Sequence, residues 1–89
     1  MTVLVTFAND KSIEIRDEDT IKAWVSTFED NAYYIQPVFS GSLTDSSEIQ
    51  AKPNFALMGL FGHSDWFTIN NNYNEVYKVS SIVSVKELI

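Results

Sequence analysis

The stretch richest in β-branched residues is Glu75 to Lys86, Glu-Val-Tyr-Lys-Val-Ser-Ser-Ile-Val-Ser-Val-Lys. Tyr77, Val79, Val83 and Val85 fall on one face at the strand period, with Ser81 in phase, and Lys78, Ser80, Ser84 and Lys86 fall on the other. Ile82 breaks the alternation. That break points to a second packing layer, or to a bend at Ser80-Ser81 where a bulge shifts the phase. The pattern predicts the central strand of a sheet.

From the start of the chain, Val3, Val5 and Phe7 alternate with Thr2, Leu4 and Thr6, which predicts a strand. Asn9-Asp10 is a turn signal, and Ile13 and Ile15 alternate with Ser12, Glu14 and Arg16, so the first two strands make a hairpin. Ile21, Trp24, Val25 and Phe28 then recur at i, i+3, i+4 and i+7, one stripe of an amphipathic helix. The spacing predicts a helix from Glu18 to Asp30. Asp17 is its N-cap, Glu18 and Asp19 sit in the first turn where the dipole favours acids, and Asn31 ends it in the left-handed conformation.

Tyr33 to Phe39 is aromatic and β-branched, a third strand, and Pro37 assigns it to an edge or a strand end. Ser40 to Ser47, with Gly41 and its serines, reads as a loop. Asn54 to Gly62 is an apolar run that fits a buried strand or a buried helix equally well. Pro53 suits a first helical turn and Gly62 a C-cap, whereas Gly59 costs a helix about 1 kcal/mol relative to alanine. At a fixed offset, Ser12-Ile13-Glu14-Ile15 matches Ser46-Ser47-Glu48-Ile49, Ile21 matches Phe55, Trp24 matches Met58, Tyr33 matches Phe67 and Ile35 matches Ile69. A faded strand–helix–strand repeat would give these matches, and so would chance. The expectation is a short second helix. Trp66 to Ile69 is a strand, Asn70 to Asn74 a turn of residues that tolerate positive φ, and Trp66 to Val79 a hairpin.

The fold class expected is therefore α+β: an antiparallel sheet of five to six strands, barrel-like if it curls, with one amphipathic helix and a second short one. Eighty-nine residues make a single small domain. With 45% hydrophobic and 13% aromatic residues, the chain can build a core without disulfides or a structural metal. It has no cysteine, which excludes disulfides, thiolate catalysis and cysteine-ligated metal centres and suits a reducing cytoplasm. Val3 to Val5 is too short an apolar run for a signal peptide or a membrane span, so a soluble cytoplasmic protein with no membrane partner is expected.

Twelve acids against six bases give a net charge of −6, and residues 1–45 hold eight of the acids and three of the bases. This balance argues against a polyanion as partner, and the simplest role for the acids is a solvated face. His63, Ser64 and Asp65 have the residue types of a hydrolase triad, but consecutive residues point in different directions, and a polar turn explains them. Asp17, Glu18 and Asp19 lack the alternating ligands and central glycine of a calcium loop. Gly41, Gly59 and Gly62 match no phosphate-binding pattern. No catalytic, metal or cofactor site is expected, and hence no enzyme.

Trp24 lies on the helix stripe and is assigned to the core. Trp66 is out of phase with Phe67 and Ile69, so it lies on the second face of its strand and is the first interface candidate. Tyr34, placed likewise on its own strand, is the next, and Asp17, Glu18 and Asp19 are the acidic candidates.

Val76-Tyr77-Lys78, followed by Ser81-Ile82 and Val83-Ser84-Val85, resembles the last two strands of bacterial Sm-like RNA chaperones, where a Tyr-Lys pair precedes a short turn and a final strand. The resemblance implies a bent strand pair and singles out Lys78 as a contact to uridine. It is confined to this stretch. Val79 stands where the family has histidine, and the family's basic surface is absent.

The function expected is that of a small non-enzymatic protein-interaction or regulatory accessory module, of the kind phages and mobile elements encode. Its partner is another protein or a second copy of itself. Large side chains on both strand faces predict that one face needs a cover, either the second helix or a twofold homodimer packed face to face through Trp66. The alternative is a weak nucleic-acid-binding small barrel using the Lys78 and Lys86 face, or an acidic mimic of nucleic acid built on Asp17 to Asp19 with Glu29 and Asp30.

Overall fold

The computed structural model describes residues 2–44 and 52–88. Within them the chain forms seven strands, one α-helix and one 3-10 turn. The strands are β1 (Thr2–Phe7), β2 (Ser12–Arg16), β3 (Ile21–Glu29), β4 (Ala32–Gly41), β5 (Trp66–Ile69), β6 (Tyr77–Lys78) and β7 (Ile82–Leu88). The helix, α1, is Pro53–Gly62, and the 3-10 turn is Val79–Ser81. The class is α+β, but the strands form two antiparallel sheets, ordered β2-β1-β7 and β4-β3-β5-β6, and no closed barrel.

The first sheet follows the sequence pattern. β1 pairs with β2 around a turn in which Asp10 takes a φ of 67°, and Val3, Val5 and Phe7 turn inward. Glu75 to Lys86 is not a central strand. The 3-10 turn divides it, so β6 ends on an edge of one sheet and β7 on an edge of the other, and the central strands are β1, β3 and β5. The phase break at Ile82 is a bulge: Phe7 pairs with Ile82 and Thr6 with Ser84, which leaves Val83 unopposed and exposed while Ile82 and Val85 pack on the core.

The helix expected over Glu18 to Asp30 is strand β3 instead. Ile21, Ala23, Val25 and Thr27 lie on one face, and Lys22, Trp24, Ser26 and Phe28 on the other. The i, i+3, i+4, i+7 stripe arises by coincidence because both faces of the strand carry apolar residues. Asp17 is therefore not a helix cap. It lies with Glu18 and Asp19 in the corner between β2 and β3. Asn31 does adopt a left-handed φ of 61°, but beside Asp30 at 51°, which makes the pair the two-residue loop of the β3–β4 hairpin. Two consecutive positive φ values define the type I′ turn, whose twist matches that of the strands it joins.

The second helix is present, with Pro53 at its start. Its end is capped by His63 rather than Gly62, which is the last helical residue. The proposed repeat fails, because Ile21 and Trp24 lie on a strand whereas Phe55 and Met58 lie on a helix. Ser46 to Ile49 lie outside the described residues. β4 extends through Ser40 to Gly41, into the segment expected to be loop, and is an edge strand, one of the two placements Pro37 favours. A bulge beside Pro37 absorbs its missing donor: Trp24 pairs with Pro37 and Ala23 with Phe39.

The core is aromatic. Phe67 packs against Phe7, Phe61 and Tyr77, with ring centroids 6.4, 4.8 and 5.1 Å away. Leu57 and Phe61 of α1 and Leu43 complete it, next to Ile21 and Ala23 of β3. Burying side chains of this size stabilises the domain by roughly 1.5–3 kcal/mol each. A long-range clasp holds the β2–β3 corner. Asn70, at a φ of 54°, donates its N–H to the Thr20 carbonyl at 2.8 Å, accepts the Thr20 N–H on Oδ1 at 2.9 Å, and donates from Nδ2 to Asp19 Oδ1 at 2.9 Å. Among the described residues no helix is long and apolar enough to cross a membrane.

Candidate interaction surface

β3 and β4 run past the rest of their sheet. β5 pairs with β3 only from Ile21 to Trp24, whereas β4 pairs with it to Glu29. Asp65 closes the junction. Its N–H donates to the Trp24 carbonyl at 2.8 Å, its Oδ2 accepts the Ser26 N–H at 2.8 Å, and its carbonyl accepts the Val79 N–H at 2.9 Å. Beyond that point the hairpin projects as a two-stranded arm tipped by Asp30-Asn31. The molecule measures 47 × 30 × 22 Å along its principal axes.

Cross-strand neighbours share a face, so Trp24, Ser26 and Phe28 of β3 stand with Pro37, Ile35 and Tyr33 of β4. Trp66 of β5 is directly opposite Trp24. Apart from Ser26 at its middle, this surface is apolar. At the tip, Phe28 and Tyr33 pack ring to ring at 4.8 Å and are 57% and 87% exposed. At the base, Trp24, Ile35, Trp66, Thr68, Tyr73 and Val76 line a groove of about 370 Å³. Tyr73 meets Trp24 edge-on at 6.1 Å, and Trp66 Nε1 donates to Ser26 Oγ at 3.1 Å. Thr68 is fully buried in the groove wall, and its Oγ1 has no hydrogen-bond partner among the described residues.

Two lysines frame the groove. Lys22 Nζ donates to the Tyr73 hydroxyl at 3.0 Å and stands 5.7 Å from that ring's centroid. Lys78 Nζ stands 5.7 Å over the Trp66 ring. Lys86 is not part of this face. It pairs with Leu4 in the other sheet, so the expected Lys78 and Lys86 face does not exist. The strand, short turn and strand implied by the resemblance at Tyr77 to Val85 are present.

Of the interface candidates, Trp66 lies on the face of its strand opposite to Phe67, beside Trp24, and is half-buried. Trp24, assigned to the core, lies beside it and is only half-buried. Tyr34 is half-exposed but pairs with Thr27 on the opposite face of the arm. Its neighbours Tyr33 and Ile35 are the ones that join Trp66. Asp17, Glu18 and Asp19 stand at the opposite end of β3 from Glu29 and Asp30, so the acids form no single dense array. Asp19 is engaged in the corner, where its Oδ2 accepts the Arg16 N–H at 2.8 Å.

His63, Ser64 and Asp65 do not assemble. His63 Nδ1 is 2.9 Å from the Gly59 carbonyl, Ser64 Oγ donates to the Leu60 carbonyl at 2.7 Å, and Asp65 serves β3. The first two satisfy carbonyls at the end of α1, which a helix leaves without internal partners. A larger cleft of about 490 Å³ lies between the β1–β2 turn and Tyr77, and its titratable side chains are Lys11, Glu75 and Tyr77. Burial pushes the Tyr77 phenol above its ordinary pKa, helped by a hydrogen bond to the Glu75 carboxylate and by that carboxylate's charge. Among the described residues no three acidic or histidine side chains are grouped to hold a metal ion.

Sequence reasoning missed Phe28, Tyr33, Ile35, Tyr73 and Val76 as members of one surface. The one local hint was Asp30-Asn31, a pair suited to a two-residue hairpin loop, but the flanking segments carry apolar residues on both faces and do not mark which face they share. Comparison with known proteins finds no matching family model, no matching curated protein and no matching solved structure.

Proposed function

We propose that the chain is a non-enzymatic protein-interaction module and that the β3–β4 arm is its docking element. The observation that carries this reading is the continuous exposed face from Phe28 and Tyr33 at the tip to Trp24, Trp66 and Tyr73 at the base. Two-stranded ribbons are marginal in water on their own. An arm that leaves large aromatic side chains in water gains more from a partner surface than from solvent. Trp and Tyr are also the residues that anchor interfaces, because they offer large rigid areas with a polar atom at one end.

The test is site-specific photo-crosslinking in cells, with p-benzoylphenylalanine in place of Phe28 or Ile35 and in place of Val83, which lies exposed on the other sheet. Protein adducts at positions 28 and 35 that are absent at 83 are expected. Equal adduct patterns at all three would overturn the reading.

A second reading rests on Lys22 and Lys78 beside the Tyr73 and Trp66 rings. Aromatic faces flanked by cations also bind single-stranded nucleic acid by base stacking. A salt-dependent shift of a labelled oligonucleotide, abolished by Trp66→Ala, would favour it over a protein partner.

A further inference from the structure

We infer that the occupant of the aromatic face is a second copy of this chain, with the tip of each arm seated in the base groove of the other. The inference rests on the interaction reading above and specifies its partner. One face carries both halves of the contact. The knob is the Phe28–Tyr33 ring pair at the tip, and the hole is the groove lined by Trp24, Ile35, Trp66, Tyr73 and Val76. A twofold axis across the arm, near Ser26, turns one arm antiparallel over the other and places each knob over the partner's hole. A self-complementary patch of this kind closes into a dimer and leaves nothing over to build a fibre.

Charge makes the same pairing. The tip ends in Asp30, in the loop beyond Phe28, whereas the base carries Lys22 and Lys78. Among the described residues neither lysine is within ion-pair distance of a carboxylate. The antiparallel arrangement sets each Asp30 against the partner's Lys22, with Lys78 on the near edge of the same base. A parallel arrangement would stack acid on acid and lysine on lysine, so electrostatics selects the register. The area is sufficient. Covering the exposed parts of five large apolar side chains on each copy removes on the order of 1,000 Å², the size of a small specific interface. A twofold pair leaves no acidic tip and no lysine base unmatched, which an unrelated protein would have to match separately.

The chain has no cysteine, so engineered thiols report on this geometry without background. Single variants Asp30→Cys and Lys22→Cys are mixed and oxidised with copper phenanthroline. Ser26 lies midway between Lys22 and Asp30 on β3, so a twofold axis there sets residue 30 of one copy over residue 22 of the other. Eight residues of extended strand, about 26 Å, separate Lys22 from Asp30, well beyond disulfide reach within one chain. The mixed disulfide dimer is expected from the mixture. Neither variant should form a dimer efficiently alone.

Light scattering over a concentration series should give twice the chain mass for the wild type. Phe28→Asp should give a monomer whose melting is independent of concentration and matches that of the wild type diluted to a monomer. Charge reversal at the tip, Asp30→Lys, should weaken the dimer about tenfold, and Lys22→Glu in the same chain should restore it. A wild-type monomer at high micromolar concentration overturns the dimer, as does efficient tip-to-tip cross-linking of Asp30→Cys alone. Photo-adducts to a different protein at position 28, from a monomeric chain, overturn the dimer and leave the interaction reading standing. Absence of any position-specific adduct overturns both.

Discussion

Trp24 and Trp66 stand directly opposite each other across the β3–β5 ladder, on the face turned away from the Phe67 core. This pair marks where a packed sheet gives way to a projecting arm. Beneath it Ala23 and Phe67, one residue along in each strand, are fully buried. Above it Tyr73 and the two lysines surround the indoles without covering them.

The position of Trp24 resets what its removal costs. A buried tryptophan truncated to alanine would cost about 3–5 kcal/mol. On a half-buried outer face the expected loss for Trp24→Ala is about 1–2 kcal/mol, and Trp66→Ala should match it because it also loses the bond to Ser26 Oγ. Urea unfolding of the two variants at low protein concentration is the measurement. A loss above about 4 kcal/mol for Trp24→Ala would place that side chain in the core after all.

Thr68 is the opposite case, a site where a substitution should help. Its hydroxyl is buried with no partner among the described residues. Leaving a polar group in that state costs about 1–3 kcal/mol, which a methyl group of the same shape avoids. Thr68→Val is expected to raise stability by about 1 kcal/mol and to leave the groove's shape intact, as read by melting temperature and indole fluorescence. Destabilisation instead would mean that the hydroxyl is bonded in solution.

The type I′ turn makes a conformational prediction. Asn31 holds a φ of 61°, which glycine adopts freely and β-branched residues resist. Asn31→Gly should therefore strengthen the hairpin, and Asn31→Val should weaken it by about 1–2 kcal/mol. Amide hydrogen exchange in the arm reads this directly. Protection at Val25 to Gln36 should fall in the valine variant while the β1–β2 hairpin is unaffected.

Gly59 lies exposed in the body of α1, and a Cβ built there meets nothing within 4 Å. Gly59→Ala should stabilise the protein by about 1 kcal/mol, because alanine loses less backbone freedom on entering a helix. A lower melting temperature for this variant would show that Gly59 faces a partner or a segment outside the described residues.

The alkaline limb of the stability curve should depend on Tyr77. Its pKa in the folded state is raised above 10.0, first by burial and then by Glu75. A raised pKa means that the folded state holds the phenolic proton more tightly than the unfolded state. The contribution is thus complete below the unfolded value and is lost as pH climbs through 10 toward the folded value. Tyr77→Phe should flatten the decline in stability above pH 10, measured by thermal melts from pH 8 to 11. A variant with an unchanged decline would assign it to other groups.

Much of the architecture could be read locally. The β1–β2 hairpin, the Trp66–Ile69 strand, the asparagine turn after it and the phase break at Ile82 each follow from residue alternation and turn chemistry within a few positions, although the bulge itself falls at Val83 and not at Ser80-Ser81. Pro37 favoured an edge or a strand end for β4 because a missing donor is a local fact. Excluding thiol chemistry needed only the absence of cysteine. What the sequence could not decide by itself was the fate of Ile21 to Glu29. Its apolar residues satisfy the helix period and both faces of a strand at once, and that choice depends on what lies beside it. β5 supplies one neighbour at Trp66 to Ile69, β4 supplies the other, and Asn70 locks the corner from fifty residues away. The same dependence hid the aromatic face. Trp24, Tyr33, Ile35, Trp66 and Tyr73 are scattered through the chain, and only strand register, a property of tertiary structure, sets them on one surface while turning Tyr34 to the other.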